Sequence, residues 1–236
     1  MWFYGGCEGD GCPSLPSLNN TIVYFNSAPI GADYWGRAEF NYSCTTPMPT
    51  NGVGTITNTP MFADAAAGNF RLQSSSPCIN AGWNASAPAG PDLDGHPRIV
   101  GGMVDMGAYE FQSPRSNISY AWLQQYGLPT DGSADFTDPD ADGHNNWQEW
   151  RAWTDPTNSV STLRLLTPTA STNGLLIRWQ SVIGQNYLLE RSTNLATQPV
   201  FAPWASNILG QASITVYADT NSVGAGPFFF RIGVKE

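Results

Sequence analysis

The chain is poor in charge, and poorest in positive charge. Only 10 of its 236 residues are Lys or Arg, against 19 Asp or Glu, and Lys235 is the one lysine. A sequence of net charge −9 assembles no basic footprint, which excludes nucleic acid and anionic membrane surfaces as partners. No apolar run reaches the roughly 18 residues of a membrane-spanning helix, so no membrane span is expected. Histidine is scarce, with only His96 and His144, and the spacings of Cys7, Cys12, Cys44 and Cys78 match no zinc pattern. Met1-Trp2-Phe3-Tyr4 leads straight into Gly and Cys rather than through a signal peptide.

Helical periodicity is missing over residues 1–113. Together with 24 Gly and 18 Pro, this points to a mainly β, turn-rich protein. The length suits one large domain or two to three small ones. Four cysteines make an even set that suits two disulfides in an oxidising compartment. Sequence does not fix their pairing; a local Cys7–Cys12 loop and a Cys44–Cys78 staple are favoured.

One stretch concentrates chemistry. Asp138-Pro139-Asp140-Ala141-Asp142-Gly143-His144-Asn145-Asn146-Trp147-Gln148-Glu149 reads D-x-D-x-D-G-x-x-x-x-x-E. Calcium is a hard ion that takes oxygens at about 2.3–2.6 Å, and this spacing wraps a short loop around one ion. Asp138, Asp140, Asp142 and Glu149 are the expected side-chain ligands. Asn146 adds an oxygen directly or through water, and His144 offers its main-chain carbonyl. Gly143 allows the sharp turn. Four carboxylates so close repel one another strongly without a cation. The expected cofactor is therefore one structural Ca²⁺, with no catalytic residue assigned.

The chain reads in three regions. Residues 1–113 alternate short β-prone runs with Gly, Pro, Asn and Ser clusters, the clearest at 19–26 and 68–72, which suits a sandwich or a parallel β-helix. Residues 114–159 hold a polar linker (114–117), a short amphipathic helix over 118–126 stopped by Gly127 and Pro129, then the acidic loop with a second helix over roughly 146–153. Residues 160–236 switch to period-two alternation. Ile177, Trp179, Tyr187, Leu189, Ile214, Val216, Phe228, Phe230 and Ile232 are expected to share the inner face of a small antiparallel β-sandwich. Trp204 and Tyr217 are candidates for stacking on sugars, though packing at the rim or core is favoured.

Resemblances sharpen each region. Pro60-Met61-Phe62-Ala63-Asp64, Asn69-Phe70-Arg71-Leu72, Ser76-Pro77-Cys78-Ile79-Asn80-Ala81-Gly82, Asp92-Leu93-Asp94-Gly95-His96-Pro97-Arg98 and Val104-Asp105-Met106-Gly107-Ala108-Tyr109-Glu110 resemble the closing coils of bacterial right-handed parallel β-helix proteins. They are similar to the choice-of-anchor Q type of domain, found on secreted bacterial surface proteins, over roughly residues 18–112. Asn80 stands where that family more often has Asp. The acidic loop resembles the EF-hand-like calcium repeats of the dockerin-like and thrombospondin type 3-like kind, with Asn146, Glu149 and Thr154-Asp155-Pro156 on the pattern. Trp153 replaces the usual Gly, and a single copy does not imply cohesin-type docking. Residues 160–236 resemble fibronectin type III-like or immunoglobulin-like modules. The resemblances imply terminal coils and a cap of a parallel β-helix, a short helical calcium-loop linker, and a small antiparallel β-sandwich.

Asp92, Asp94, Asp105 and Glu110 raise the possibility of paired-carboxylate chemistry. The favoured reading gives them turns and bonds to backbone amides or to Arg98. The expected function is a non-catalytic, calcium-stabilised C-terminal region of a longer secreted or cell-surface β-helix protein, extracellular, with calcium rigidifying the joint between its β domains. Expected partners are extracellular polysaccharide or cell-surface proteins. One alternative is a fragment of a β-helix polysaccharide lyase or glycoside hydrolase. Another is a structural subunit that self-associates through the open end of its β-helix, where strand edges are unpaired.

Overall fold

A computed structural model describes residues 15–27, 33–34, 37–222 and 226–234. Cys7, Cys12 and Lys235 lie outside them. The described residues are mainly β, with two short α helices. They divide into two compact units, Met1–Asp135 and Phe136–Glu236. The first helix thus belongs to the N-terminal unit, while the acidic loop and second helix belong to the C-terminal one.

In the N-terminal unit the strands are short and several are parallel. β1 (Ser17–Asn19) pairs with β3 (Glu39–Asn41), and β2 (Ile22–Val23) with β4 (Cys44–Thr45). Asn20, at φ 51, separates β1 from β2, so the expected 19–26 strand is broken into two by a left-handed residue. Cys44 also bridges Ile56 in parallel. β5 (Phe62–Asp64) and β6 (Asn69–Leu72) form an antiparallel hairpin. Beneath them Cys44, Leu72, Cys78, Ile79, Ala81, Met106 and Tyr120 form the main core, and Val23, Ala38 and Phe40 a smaller one.

Residues 92–113 contain no strand, yet their buried N–H groups need acceptors. Carboxylates supply them. Asp92 accepts from Asp94, His96 and Glu110 N–H, Glu110 from Val100 and Asp105 N–H, and Asp105 from Asn80 and Phe111 N–H, at 2.7–3.0 Å. Gly82 is held here by contact: a Cβ on it would meet the Val104 carbonyl oxygen at 2.7 Å.

α1 (Tyr120–Gln125) packs Tyr120 and Leu123 inward. Residues 114–117, expected as a polar linker, are instead anchored. Ser116 is wholly buried, its carbonyl accepts from Asn80 Nδ2, and its hydroxyl donates to Asp135. The anchor is a buried carboxylate, whose partners no local spacing announces.

In the C-terminal unit, β7 (Leu165–Ser171), β8 (Gly174–Ser181) and β11 (Ser213–Asp219) form one antiparallel sheet. β9 (Asn186–Ser192), β10 (Ala202–Leu209) and β12 (Phe229–Val234) form another. The Gly184-containing turn therefore joins strands of different sheets. Ile177 and Trp179 from one sheet and Tyr187 and Leu189 from the other share a single buried cluster, with Phe230 and Ile232 packed against it.

The inward face of β11 differs from the expectation. Ile214 and Val216 are 42% and 46% exposed, while Thr215 is 2% exposed and Tyr217 joins the core cluster. Thr215 stands opposite Trp179 and Tyr217 opposite Ile177, and directly opposed residues point to one face. A polar residue is tolerated inside because Thr215 Oγ1 donates to Ser181 Oγ and accepts from Gln211 N–H. Trp204 also packs on this core, with the Arg191 guanidinium 3.3 Å above its ring.

Candidate metal centre

Residues 137–154 form a loop closed by α2 (Asn146–Ala152). Asn146 N–H donates to the Thr137 carbonyl at 2.9 Å across the base of the loop. The helix starts with a capping box: Asn145 accepts from Gln148 N–H at 3.0 Å, and Gln148 accepts from Asn145 N–H at 2.9 Å. It stops at Trp153, which takes φ 61 and ψ 27, the left-handed conformation the missing glycine would favour. Inside the loop Gly143 turns at φ 98. A Cβ there would meet nothing within 4 Å, so the glycine serves backbone freedom alone.

Each aspartate gives one oxygen to the loop's own backbone. Gly143 N–H donates to Asp138 Oδ2 at 3.0 Å, Asp142 N–H to Asp140 Oδ1 at 3.3 Å, and His144 N–H to Asp142 Oδ1 at 2.8 Å. These bonds orient the carboxylates, and one oxygen from each of Asp138, Asp140 and Asp142 lies within 4.8 Å of the others. Asp140 Oδ2, Asp142 Oδ2 and Glu149 Oε2 are buried with no hydrogen-bond partner among the described residues. Glu149 is 1% exposed and the Asp142 side chain 2%. Burying ionised oxygens without a partner is strongly unfavourable. Burial, and then the charges of Asp140 and Asp142, push the Glu149 carboxyl up to about 7. Burial and the neighbouring Asp142 and Asp138 charges also hold the Asp140 carboxyl above its ordinary value, against the opposing bond from Asp142 N–H.

Of the six expected residues, Asp138, Asp140 and Asp142 converge through one oxygen each, and Glu149 lies close enough to feel their charges. Asn146 is wholly buried, with Nδ2 donating to Thr137 Oγ1 at 3.2 Å. The His144 ring Nδ1 is 3.3 Å from Asp142 Oδ1 and 2.8 Å from Thr162 Oγ1. An all-oxygen set of carboxylates and an amide fits a hard divalent cation and does not fit zinc or copper. Sequence reading gave no role to two residues. Thr154 N–H and Oγ1 hold Glu149, and Thr162 holds the His144 ring. Thr154 lies on the repeat pattern, but its contact depends on where the helix ends; Thr162 carries no sequence signal.

The carboxylates weighed for paired chemistry have partners, although one ligand atom each of Asp92, Asp94 and His96 also lies within 4.8 Å of the others. Asp94 pairs with Arg71, while Asp92, Asp105 and Glu110 gather the backbone amides described above. Arg98, an expected partner for them, instead donates to the carbonyls of Ala108 and Gly107. An open cleft beside them is walled by Tyr24, Phe62, Phe70 and Tyr109, with Arg98 its titratable neighbour besides the tyrosines. Compared with protein-family models, curated proteins and solved structures, the chain finds no match.

Proposed function

We propose that the chain is a non-catalytic, calcium-stabilised region of a secreted or cell-surface protein. Its loop at Asp138, Asp140, Asp142, His144, Asn146 and Glu149 holds one structural Ca²⁺. The observation that carries this reading is the set of partnerless buried oxygens on Asp140, Asp142 and Glu149, which a divalent cation would satisfy all at once. Calcium would supply charge neutralisation there and no reaction chemistry.

Two further features support the architecture implied by the resemblances. In the N-terminal unit Ser17 pairs with Glu39 and Ile22 with Cys44, each partner lying 22 residues onward in a parallel ladder. One turn of a parallel β-helix stacked on the next has this character. In the C-terminal unit two three-stranded sheets share one core, which suits a small sandwich of the fibronectin type III or immunoglobulin kind. The amide-saturated carboxylates Asp92, Asp105 and Glu110 suit a cap rather than an acid–base pair. Polysaccharide or cell-surface proteins outside the cell are the partners that fit an acidic, calcium-dependent module.

Calorimetric titration with calcium tests the reading. One ion per chain is expected, with Kd as weak as roughly 10⁻⁴–10⁻³ M for an extracellular module. Binding should be lost in Asp142→Ala and Glu149→Ala. A silent titration, or binding unchanged by both substitutions, overturns it.

A further inference from the structure

The Cys44–Cys78 staple favoured from the sequence is not a bond in this structure, where both sulfurs are free thiols. Cys44 on β4 and Cys78 in the turn after β6 are wholly buried thiols within one core cluster. Their side chains pack in that one cluster, where Cys44 Sγ donates to the Asn58 carbonyl at 3.1 Å and the nearness of Cys44, with burial, pushes the Cys78 thiol well up. The backbone fixes both ends independently of the sulfurs. Cys44 N–H donates to the Thr21 carbonyl at 2.8 Å, and Cys44 is flanked in register by Ile22 and Ile56. Cys78 N–H donates to Ser76 Oγ at 3.2 Å, its carbonyl accepts from Met106 N–H at 3.0 Å, and Ser76 Oγ is tied to the Pro60 carbonyl at 2.6 Å. Two segments far apart in sequence thus deliver sulfurs to one buried spot.

We propose that Cys44 and Cys78 form a disulfide during folding, before the core closes over them. The oxidant is an external disulfide, either a small-molecule one such as oxidised glutathione or that of a dithiol oxidase. The thiolate of one cysteine attacks a sulfur of that disulfide, forming a mixed disulfide and releasing one thiol. The second cysteine then attacks the protein sulfur of the mixed disulfide, forming the Cys44–Cys78 bond and releasing the second thiol. Two protein thiols are oxidised, one external disulfide is reduced, and the two protons pass to the released thiols. The order follows from access. Exchange needs a thiolate that the oxidant can reach, and in the folded unit neither sulfur is exposed. The Cys44 neighbour and burial both work against a Cys78 thiolate. Once made, the bond is shielded from reductant in the same way. The inference rests on the secreted setting proposed above only for the supply of oxidant.

The test uses the full chain carrying Cys7→Ser and Cys12→Ser. It is reduced, unfolded, and refolded either in a glutathione redox buffer or in excess thiol. Each sample is then denatured in an alkylating agent and weighed. No alkyl group is expected after oxidative refolding and two after reductive refolding. Reductively refolded protein given oxidised glutathione while native should still take two. Two alkyl groups or glutathione adducts after oxidative refolding overturn the proposal, as does equally fast bond formation in the native reduced protein. If the double variant does not refold, peptide mapping of the unsubstituted chain decides. A linked Cys44–Cys78 peptide supports the bond; bridges from either residue to Cys7 or Cys12, or free thiols, overturn it. Calcium titration is read separately, so the two proposals fail independently.

Discussion

Thr154 Oγ1 donates to Glu149 Oε1 at 3.3 Å, while Thr154 N–H donates to the Glu149 carbonyl at 3.0 Å. One buried threonine therefore fixes both the end of α2 and one oxygen of the carboxylate at the loop's last position. Thr154→Val keeps the shape but loses the bond. Partners that orient metal ligands typically contribute 10–100-fold in affinity, so calcium affinity is expected to fall by about tenfold in this variant. Glu149→Gln, which removes the charge itself, should cost more. Titration of both variants checks the order; a Thr154→Val protein that binds as well as the parent contradicts the positioning role.

The buried carboxylates of the N-terminal unit predict a pH dependence. Burial and the facing Glu110 charge push Asp105 up to about 8, and burial pushes Glu110 up to about 7. In an unfolded chain both lose their protons near about pH 4. Between these values the folded unit binds more protons than the unfolded one, so its stability falls as pH rises from about 4 through 8. Asp92 works in the opposite sense. Burial would raise it, but the amides of Glu110, His96 and Asp94 hold it below the usual range. Its contribution is present above about pH 4 and is lost as pH falls through its folded value. Hydrogen exchange at the Asn80 and Phe111 amides, corrected for intrinsic rates, should show protection weakening from pH 5 to pH 8 (roughly the window between unfolded and folded values). Asp105→Asn should lower protection overall but flatten this slope. Protection that grows over the window contradicts the assignment.

The convergence of Asp138, Asp140 and Asp142 was legible in the sequence because they alternate along one short loop, with Gly143 supplying its turn. The β content was legible for the same local reason, from alternation and turn residues. What escaped reading depends on register or on distant partners. The alternation Ile214, Val216 looks like an inner face, yet pairing with β8 turns Thr215 and Tyr217 inward. Ser116 looks like linker until the buried Asp135 carboxylate is placed against it. Thr162 reaches His144 across 18 residues, a contact that no periodicity encodes.

Trp153 carries a left-handed backbone with a bulky side chain that is 44% exposed. Such a conformation costs a non-glycine residue roughly 1–2 kcal/mol, while glycine loses about 0.5–1 kcal/mol through its freedom in the unfolded chain. Trp153→Gly is expected to stabilise the C-terminal unit by roughly 0.5 kcal/mol, raising its melting temperature slightly. A clear drop on differential scanning calorimetry would show that the indole contributes packing beyond its exposure.

Trp179 and Tyr187 meet edge to face, 5.8 Å between ring centres, one from each sheet of the C-terminal unit. Both are wholly buried. Trp179→Ala should cost about 3–5 kcal/mol, and Tyr187→Ala a comparable amount. If the two sheets share one core, urea denaturation of the double variant should reveal a coupling of about 0.5–1.5 kcal/mol. Strictly additive costs contradict direct packing between the sheets.

If an ion neutralises the buried oxygens of Asp140, Asp142 and Glu149, the folded chain melts higher with calcium than without it. Binding to the folded state stabilises it by about 2.7 kcal/mol when free calcium is a hundred times Kd. The melting temperature in about 10 mM calcium, about ten times the weak-site Kd, should therefore exceed that in EDTA. Asp142→Ala and Glu149→Ala should abolish the difference. Asp64→Ala, on the β5–β6 turn where its carboxylate accepts from Ala67 N–H, should leave it intact. Equal melting temperatures in EDTA and in calcium for the unsubstituted chain would contradict the account.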